Sequence, residues 1–139
     1  MLRVLIADDH AIVRKGLREI LREASEQTVV GEAANGLEAL AQVEAGEWDV
    51  VVLDITMPGP NGLEVLRRVK LLRPQLPVLM LSMHSGHHYV VGSLKAGASG
   101  YLHKETAPDE LVTAIHTAIA GGTYLSRALA AGLDPNLLG

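Results

Sequence analysis

The sequence contains no cysteine and no phenylalanine, and its aromatic residues are one tryptophan and three tyrosines. The lack of cysteine excludes disulfides, thiolate nucleophiles and thiolate metal sites, and it fits a cytoplasmic setting. Without phenylalanine, the core must be built from Leu, Val, Ile and Ala. No apolar run approaches the roughly 20 residues of a membrane span, and the first residues lack the basic start and cleavage site of a signal peptide. We therefore expect a cytoplasmic protein with no membrane partner.

The chain also lacks an excess of positive charge. Its formal net charge of −4 provides no electrostatic footprint for nucleic acid. A length of 139 residues, 48% of them hydrophobic, fits one globular domain with one sizeable core. The function must therefore be inferred from local motifs.

Strand-like and helix-like patterns alternate five times along the chain. The predicted strands are Arg3–Asp8, Thr28–Ala34, Asp49–Asp54, Val78–Ser82 and Gly100–His103. The predicted helices are Ala11–Ala24, Leu37–Ala45, Leu63–Leu72, Gly86–Ala96 and a last helix with Pro108 in its first turn and an apolar stripe of Leu111, Ile115, Ala118 and Ile119. The third strand is the most apolar and is expected at the centre. The predicted fold class is α/β, a single (βα)5 doubly wound parallel sheet with the flavodoxin-like strand order 2-1-3-4-5.

Polar side chains close four of these apolar runs. Asp8 and Asp9 follow the apolar run Leu2–Ala7, and Asp54 follows the run Val50–Leu53. Ser82 follows Val78–Leu81, and Lys104 follows Tyr101–His103. Carboxyl ends of parallel strands meet along one sheet edge, where such folds place their ligand site, so we expect these side chains to meet. Oxygen-only ligands favour Mg²⁺, Mn²⁺ or Ca²⁺, and a site with few protein ligands and several retained waters suits Mg²⁺ best. A buried carboxylate such as that of Asp54 can attack phosphorus to form an acyl phosphate, with the lysine neutralising a phosphoryl oxygen.

Each of these features also has a simpler explanation. An Asp-Asp pair often serves as a turn or a helix cap, and a lone lysine or serine at a strand end is usually just solvated. The joint occurrence of all five side chains at carboxyl ends favours the functional interpretation.

Four stretches carry a resemblance to a known family, namely VLIADDHAIVRKGL, VVLDITMPGPNGLEVL, VLMLSMH and KAGASGYLHKETAPDELVTAI. Over about residues 2–125 the chain resembles a response-regulator receiver domain of two-component systems, and it is most similar to the NarL/FixJ branch. The resemblance implies that Asp54 is the phosphoacceptor. It also implies that Mg²⁺ is bound by Asp8, Asp9 and Asp54 together with the main-chain carbonyl of Thr56.

The same resemblance implies roles for three further residues. Ser82 takes the role of the switch hydroxyl, Lys104 contacts the phosphate, and Tyr101 matches the aromatic residue that changes rotamer with the switch. A strand aromatic half-buried by packing is the alternative for Tyr101. The chain departs from the commoner pattern at two positions. Glu105 stands in place of a proline, which affects the subtype rather than the activity, and Ser82 stands in place of threonine and should still donate its hydroxyl proton.

The resemblance further implies that a sensor histidine kinase donates the phosphoryl group. The expected output is formation of a homodimer or relief of the inhibition of an effector domain.

Residues 1–123 are predicted to form the receiver and residues 124–139 a linker or frayed extension. Members of this branch usually carry a LuxR-type DNA-binding domain, for which this chain has no room. DNA binding is therefore expected only through a domain absent from this chain. A stand-alone receiver acting through protein–protein contacts is the alternative.

Other interpretations remain open from the sequence. A phosphohydrolase using an aspartyl phosphate would carry a second aspartate where Thr56 stands. A flavin carrier would need a phosphate-binding loop in place of Asp8-Asp9-His10, and a phosphorylation-independent interaction module would not need the acids. His84, His87 and His88 are either a transition-metal site or histidines of a surface loop, and their spacing favours the loop.

Overall fold

The computed structural model describes residues 2–56, 61–83 and 87–126, and at residues 87–89 it describes the backbone alone. The strands are β1 Arg3–Ala7, β2 Val29–Ala33, β3 Val50–Asp54, β4 Val78–Ser82, β5 Gly100–His103 and β6 Tyr124–Leu125. The helices are α1 Ala11–Ala24, α2 Gly36–Ala45, α3 Gly62–Leu72, α4 His87–Lys95 and α5 Ala107–Ile119. All of the predicted strands and helices are confirmed, with ends that differ by one residue at most.

The strands form one parallel sheet in the order β2-β1-β3-β4-β5-β6. Every residue of β3 is buried, as expected for a central strand with helices over both faces. The prediction of an α/β sheet of order 2-1-3-4-5 is confirmed, and β6 extends that sheet beyond β5.

Two apolar clusters cover the two faces of the sheet. One combines α1 and α5 with the sheet, through Leu17, Leu21, Leu111 and Ile115 among others. The other combines α2, α3 and α4 with the opposite face and includes Tyr101. The predicted stripe of α5 is wrong at its last member, because Ile119 is 45% exposed at the end of the helix.

Helix termini follow local sequence signals. Asn35 and Asn61 cap α2 and α3, and their side chains accept hydrogen bonds from the amides of Glu38 and Glu64. Gly97 follows α4 at a φ of 102°, a conformation that favours glycine. Among the described helices, none has the length and apolar character needed to cross a bilayer.

The short strand β6 was not predicted from the sequence. Tyr124 pairs with Gly100 and Leu125 with Tyr101, and the amide of Ser126 donates to the carbonyl of Tyr101 at 3.1 Å. Tyr124 and Leu125 therefore belong to the sheet, and Ser126 is hydrogen-bonded to it. The predicted division after residue 123 stays a prediction, and the remainder of the predicted linker lies outside the described residues.

Trp48 precedes β3 and packs at the end of the sheet where the strands begin. Its indole Nε1 donates to the carbonyl of Gln42 at 2.9 Å. Its ring fills the space beside Gly31, and the Arg3 guanidinium lies 5.4 Å from the ring centroid. A surface groove of about 750 Å³ opens beside the indole, at the end of the sheet opposite to the strand-end acids.

Candidate functional site

The carboxyl ends of β1 and β3 bring three carboxylates together. Asp8 and Asp9 follow β1 directly, and Asp54 is the last residue of β3. The amide of Asp8 donates to the carbonyl of Ala33 at 3.0 Å, which anchors this strand end to β2. The side chains of Asp8 and Asp54 are fully buried, whereas that of Asp9 is 28% exposed. The acids therefore form a site that opens to solvent on the Asp9 side.

The Asp54 carboxylate is held at both oxygens. Its Oδ1 accepts hydrogen bonds from the amide of Thr56 at 3.0 Å and from the Thr56 hydroxyl at 3.1 Å. Its Oδ2 accepts from Lys104 Nζ at 3.1 Å. The backbone behind it is packed against Gly62, where a Cβ would lie 2.7 Å from the Asp54 carbonyl oxygen. The orientation of this carboxylate is therefore fixed by its surroundings.

Lys104 connects the acids to the neighbouring strands. Its amide donates to the Ser82 carbonyl at 2.9 Å, and its Nζ lies 3.1 Å from Oδ2 of both Asp8 and Asp54. Burial would lower the pKa of this ammonium group, but the hydrogen bonds and charges of Asp54 and Asp8 together raise its pKa above 10.5. Lys104 is therefore charged at neutral pH.

The site has more negative charge than the lysine neutralises. The cluster contains three carboxylates, and its one ammonium group, that of Lys104, contacts two of them, so a divalent cation would balance the two negative charges that are left. Asp9 Oδ1 is a buried atom without a hydrogen bond, whereas the buried Asp8 Oδ2 is paired with Lys104 Nζ at 3.1 Å. One ligand atom from each of Asp8, Asp9, His10 and Asp54 lies within 4.8 Å of the others. The residues therefore fit a divalent cation held by carboxylates.

His10 was not singled out as a member of this site from the sequence. Its amide donates to Asp8 Oδ1 at 2.8 Å, and its ring Nδ1 lies 3.2 Å from Asp8 Oδ1 and Asp9 Oδ1. The only sequence signal was its place directly after the two acids. A second missed residue is Arg14, whose guanidinium donates to the Asp8 carbonyl at 2.5 Å and pairs with Glu32 at 3.1 Å.

The remaining predicted site residues lie on β4 and β5. Ser82 is fully buried at the end of β4, and its carbonyl is bound to the Lys104 amide. Tyr101 is fully buried within the core, not half-buried as the packing alternative supposed. His84 and the side chains of His87 and His88 lie outside the described residues.

Fold and site together define a doubly wound α/β domain with an acidic, lysine-containing centre at the carboxyl edge of its sheet. Residues 4–116 match the model of the response regulator receiver domain. The chain therefore belongs to the response regulator receiver domain family. It is a phosphoacceptor signalling domain.

Individual relatives agree with this assignment. The chain is 38% identical over 134 residues to the nitrate/nitrite response regulator protein NarL of Escherichia coli strain K12, covering 96% of this chain and 62% of NarL. It therefore spans about three fifths of the length of this curated relative.

Two solved structures share the fold. A LuxR-family two-component response regulator from Aurantimonas sp. SI85-9A1 has a TM-score of 0.87 and 37% identity, with 93% of this chain and 92% of that chain covered. The isolated REC domain of RcsB from Salmonella enterica serovar Typhimurium, solved in the presence of phosphomimetic BeF3−, has a TM-score of 0.86 and 26% identity. That comparison covers 96% of this chain and 99% of the RcsB domain.

Proposed function

We propose that Asp54 accepts a phosphoryl group from the phosphohistidine of a sensor histidine kinase. The observation that carries this proposal is the buried Asp54 carboxylate at the end of the central strand, oriented by Thr56 and Lys104. A carboxylate oxygen of Asp54 attacks phosphorus, the phosphorus–nitrogen bond of the donor breaks, and the donor imidazole leaves with the bonding electrons. The product is an acyl phosphate on Asp54.

Asp8, Asp9 and Asp54, with the main-chain carbonyl of Thr56, would hold a Mg²⁺ ion (Mn²⁺ being the alternative). Bound there, the cation supplies positive charge next to the phosphoryl oxygens. Support comes from the excess negative charge of the cluster and from the buried oxygen of Asp9 that has no hydrogen bond. Lys104, already between Asp8 and Asp54, is close enough to neutralise a phosphoryl oxygen as charge is transferred.

The acyl phosphate then shifts the domain between two conformations. Ser82 donates its hydroxyl to the phosphoryl group, and Tyr101 repacks with α4 and β5. The output is homodimerisation or release of an effector domain, and transcription would be controlled through a DNA-binding domain outside this chain. The transcriptional regulatory protein DegU of Brevibacillus brevis, of which the match covers 52%, supports a transcriptional output. A receiver that acts by protein–protein contacts alone is the second candidate.

Intact-mass measurement after incubation with acetyl phosphate tests the phosphoacceptor. Wild type is expected to gain one phosphoryl group only when Mg²⁺ is present, because the carboxylate cluster otherwise repels the anionic donor. Asp54→Asn is expected to gain none. Asp109→Asn, which changes an exposed acid in the first turn of α5, serves as matched control and is expected to behave like wild type. An adduct that persists in Asp54→Asn would contradict the assignment.

A further inference from the structure

Ser126 is fully buried directly after β6, although the proposed phosphoryl chemistry gives it no role. Its amide donates to the carbonyl of Tyr101 at 3.1 Å, next to the last paired residues of β5 and β6. The next amide on this side of β5 is that of His103, two residues farther along. That amide donates at 3.1 Å to the side-chain Oγ of Ser126. A hydroxyl group therefore supplies the acceptor beyond the point where the backbone pairing stops.

The Ser126 hydroxyl is part of a closed ring of hydrogen bonds around His103. The Thr106 hydroxyl donates to the carbonyl of His103 at 3.4 Å, and its oxygen lies 3.4 Å from Oγ of Ser126. Because a hydroxyl has one proton and two lone pairs, the Thr106 oxygen is left to accept from Ser126. The bonds thus run from the His103 amide through two hydroxyls and back to the His103 carbonyl. Both main-chain polar groups of His103 are held in this way.

This ring of hydrogen bonds holds the turn that contains Lys104. Lys104 follows His103 directly, and the amide of Thr106 donates to the His103 carbonyl at 3.1 Å, which closes the turn around it. A proline after Lys104 would fix the backbone φ covalently, but Glu105 stands there. The Glu105 amide instead donates to the ring Nδ1 of His103 at 3.2 Å. The conformation of the turn therefore depends on hydrogen bonds to His103, including the one from its amide to Ser126.

We propose that Ser126 is a positioning residue that determines where the Lys104 ammonium group lies. The proposal rests on the proposed function, because it gives Lys104 the task of neutralising a phosphoryl oxygen. The Lys104 side chain is 10% exposed, and its Nζ lies 3.1 Å from Oδ2 of both Asp8 and Asp54. A functional side chain keeps such a position when the groups behind it are held in place. Since a displacement of about 1 Å can lower a rate by about a hundredfold, loss of the Ser126 hydroxyl should slow phosphorylation.

Titrations of the full chain with acetyl phosphate and with Mg²⁺ test this role in Ser126→Ala. The maximal rate of phosphorylation is expected to fall by about tenfold, because the Lys104 ammonium group is displaced. The Mg²⁺ Kd, measured by calorimetry, should not rise, since the proposed ligands lie at the ends of β1 and β3 and Lys104 competes with the ion for their charge. An unchanged rate overturns the proposal. A rate loss accompanied by weaker Mg²⁺ binding also overturns it, because the whole site would then be damaged.

Thr28→Ala is the matched control for the loss of a buried hydroxyl. Thr28 is 6% exposed and precedes β2, at the end of the sheet opposite to the acids. Its replacement should leave the rate of phosphorylation and the Mg²⁺ Kd as they are in the wild type. A rate in Thr28→Ala as low as that in Ser126→Ala would contradict a specific role of Ser126.

Hydrogen exchange of the wild-type chain tests the contact itself and needs no variant. The amide of His103 is expected to exchange as slowly as that of Lys104, which donates to the Ser82 carbonyl at 2.9 Å. Exchange at His103 that is about tenfold faster or more overturns the proposal, because Ser126 would then not hold this amide. Absence of a phosphoryl adduct in the wild type refutes the proposed function. A normal wild-type adduct with an unchanged rate in Ser126→Ala refutes the role of Ser126 alone.

Discussion

At the scale of single residues, the site brings three carboxylates close to a single lysine ammonium group. Asp8 and Asp54 share the Lys104 ammonium, whereas Asp9 Oδ1 faces the ring of His10 without a hydrogen bond. Asp9 is thus the acid least compensated by the protein. Like charges held close together destabilise a fold until a cation arrives.

Replacing Asp9 by asparagine should therefore stabilise the protein when divalent ions are absent. We expect the free energy of unfolding of Asp9→Asn to rise by about 1 kcal/mol in chelator-treated buffer, because one repulsive charge is removed. Adding Mg²⁺ should stabilise the wild type more than the variant, since the variant has one fewer carboxylate ligand. Urea unfolding of both proteins and of Asp109→Asn, with and without Mg²⁺, measures the effect. A loss of stability in Asp9→Asn without Mg²⁺ would contradict it.

The raised pKa of Lys104 predicts how the free energy of unfolding changes at alkaline pH. Burial alone would lower its pKa, but Asp54 and Asp8 raise it above the usual 10.5. Because folding raises this pKa, the stabilising contribution is complete below about pH 10.5 and is lost as the pH rises through the higher folded-state value. The difference in unfolding free energy between wild type and Lys104→Met should stay constant up to about pH 10 and shrink above it.

Urea unfolding across this pH range measures that difference. Lys15→Met, which changes an exposed lysine of α1, is the control and should show no such alkaline change. A difference that grew with pH would contradict the raised pKa of Lys104.

At the scale of elements, the start of α3 positions the strand that ends in Asp54. The amide of Gly62 donates to the Ile55 carbonyl at 3.0 Å, and a Cβ at Gly62 would collide with the backbone of Asp54 and Ile55. In contrast, a Cβ at Gly16, within α1, meets nothing within 4 Å. The same chemical change should therefore have opposite effects at these two positions.

Gly62→Ala is expected to lower the free energy of unfolding by about 1–3 kcal/mol, because the backbone below Asp54 must move. Gly16→Ala should raise it by about 0.5–1 kcal/mol, since alanine restricts the unfolded chain and favours the helix. Denaturant unfolding compares the two variants. The rate of Mg²⁺-dependent phosphorylation should fall in Gly62→Ala only, and equal stability changes would refute this account of Gly62.

The last strand, β6, depends on a second close approach. A Cβ at Gly100 would lie 2.8 Å from Leu79 Cδ2 and closer still to the Tyr124 carbonyl oxygen. Gly100→Ala should therefore displace β6 and speed hydrogen exchange at the amides of Tyr124 and Ser126 by about tenfold or more. Gly92→Ala, whose added Cβ would be 3.9 Å from Leu63, is the control. Unchanged exchange in Gly100→Ala would show that the sheet accommodates the methyl group.

At the scale of the whole molecule, most of the sheet and of the acid cluster can be predicted from the sequence. Buried parallel strands appear as continuous apolar runs, and their shared direction predicts that Asp8, Asp54 and Lys104 meet. By contrast, β6 has two residues and no period, so its pairing with β5 depends on tertiary contacts. His10 joins the acid cluster because of the direction of its side chain beyond the end of β1. Ile119 continues the apolar stripe of α5 but lies beyond the part of the helix that the sheet covers. Periodicity contains neither kind of information.

The position of Trp48 has a practical consequence for spectroscopy. It is the only indole of the chain, and it lies before β3, whereas Asp54 ends that strand. At about 3.3 Å per residue, the five residues of β3 separate this fluorophore from the acids by more than 15 Å. Tryptophan emission should consequently follow global denaturation without being quenched by ions in the site. A fluorescence melt recorded with Mn²⁺ and one recorded with Mg²⁺ can therefore be compared directly as measures of stability.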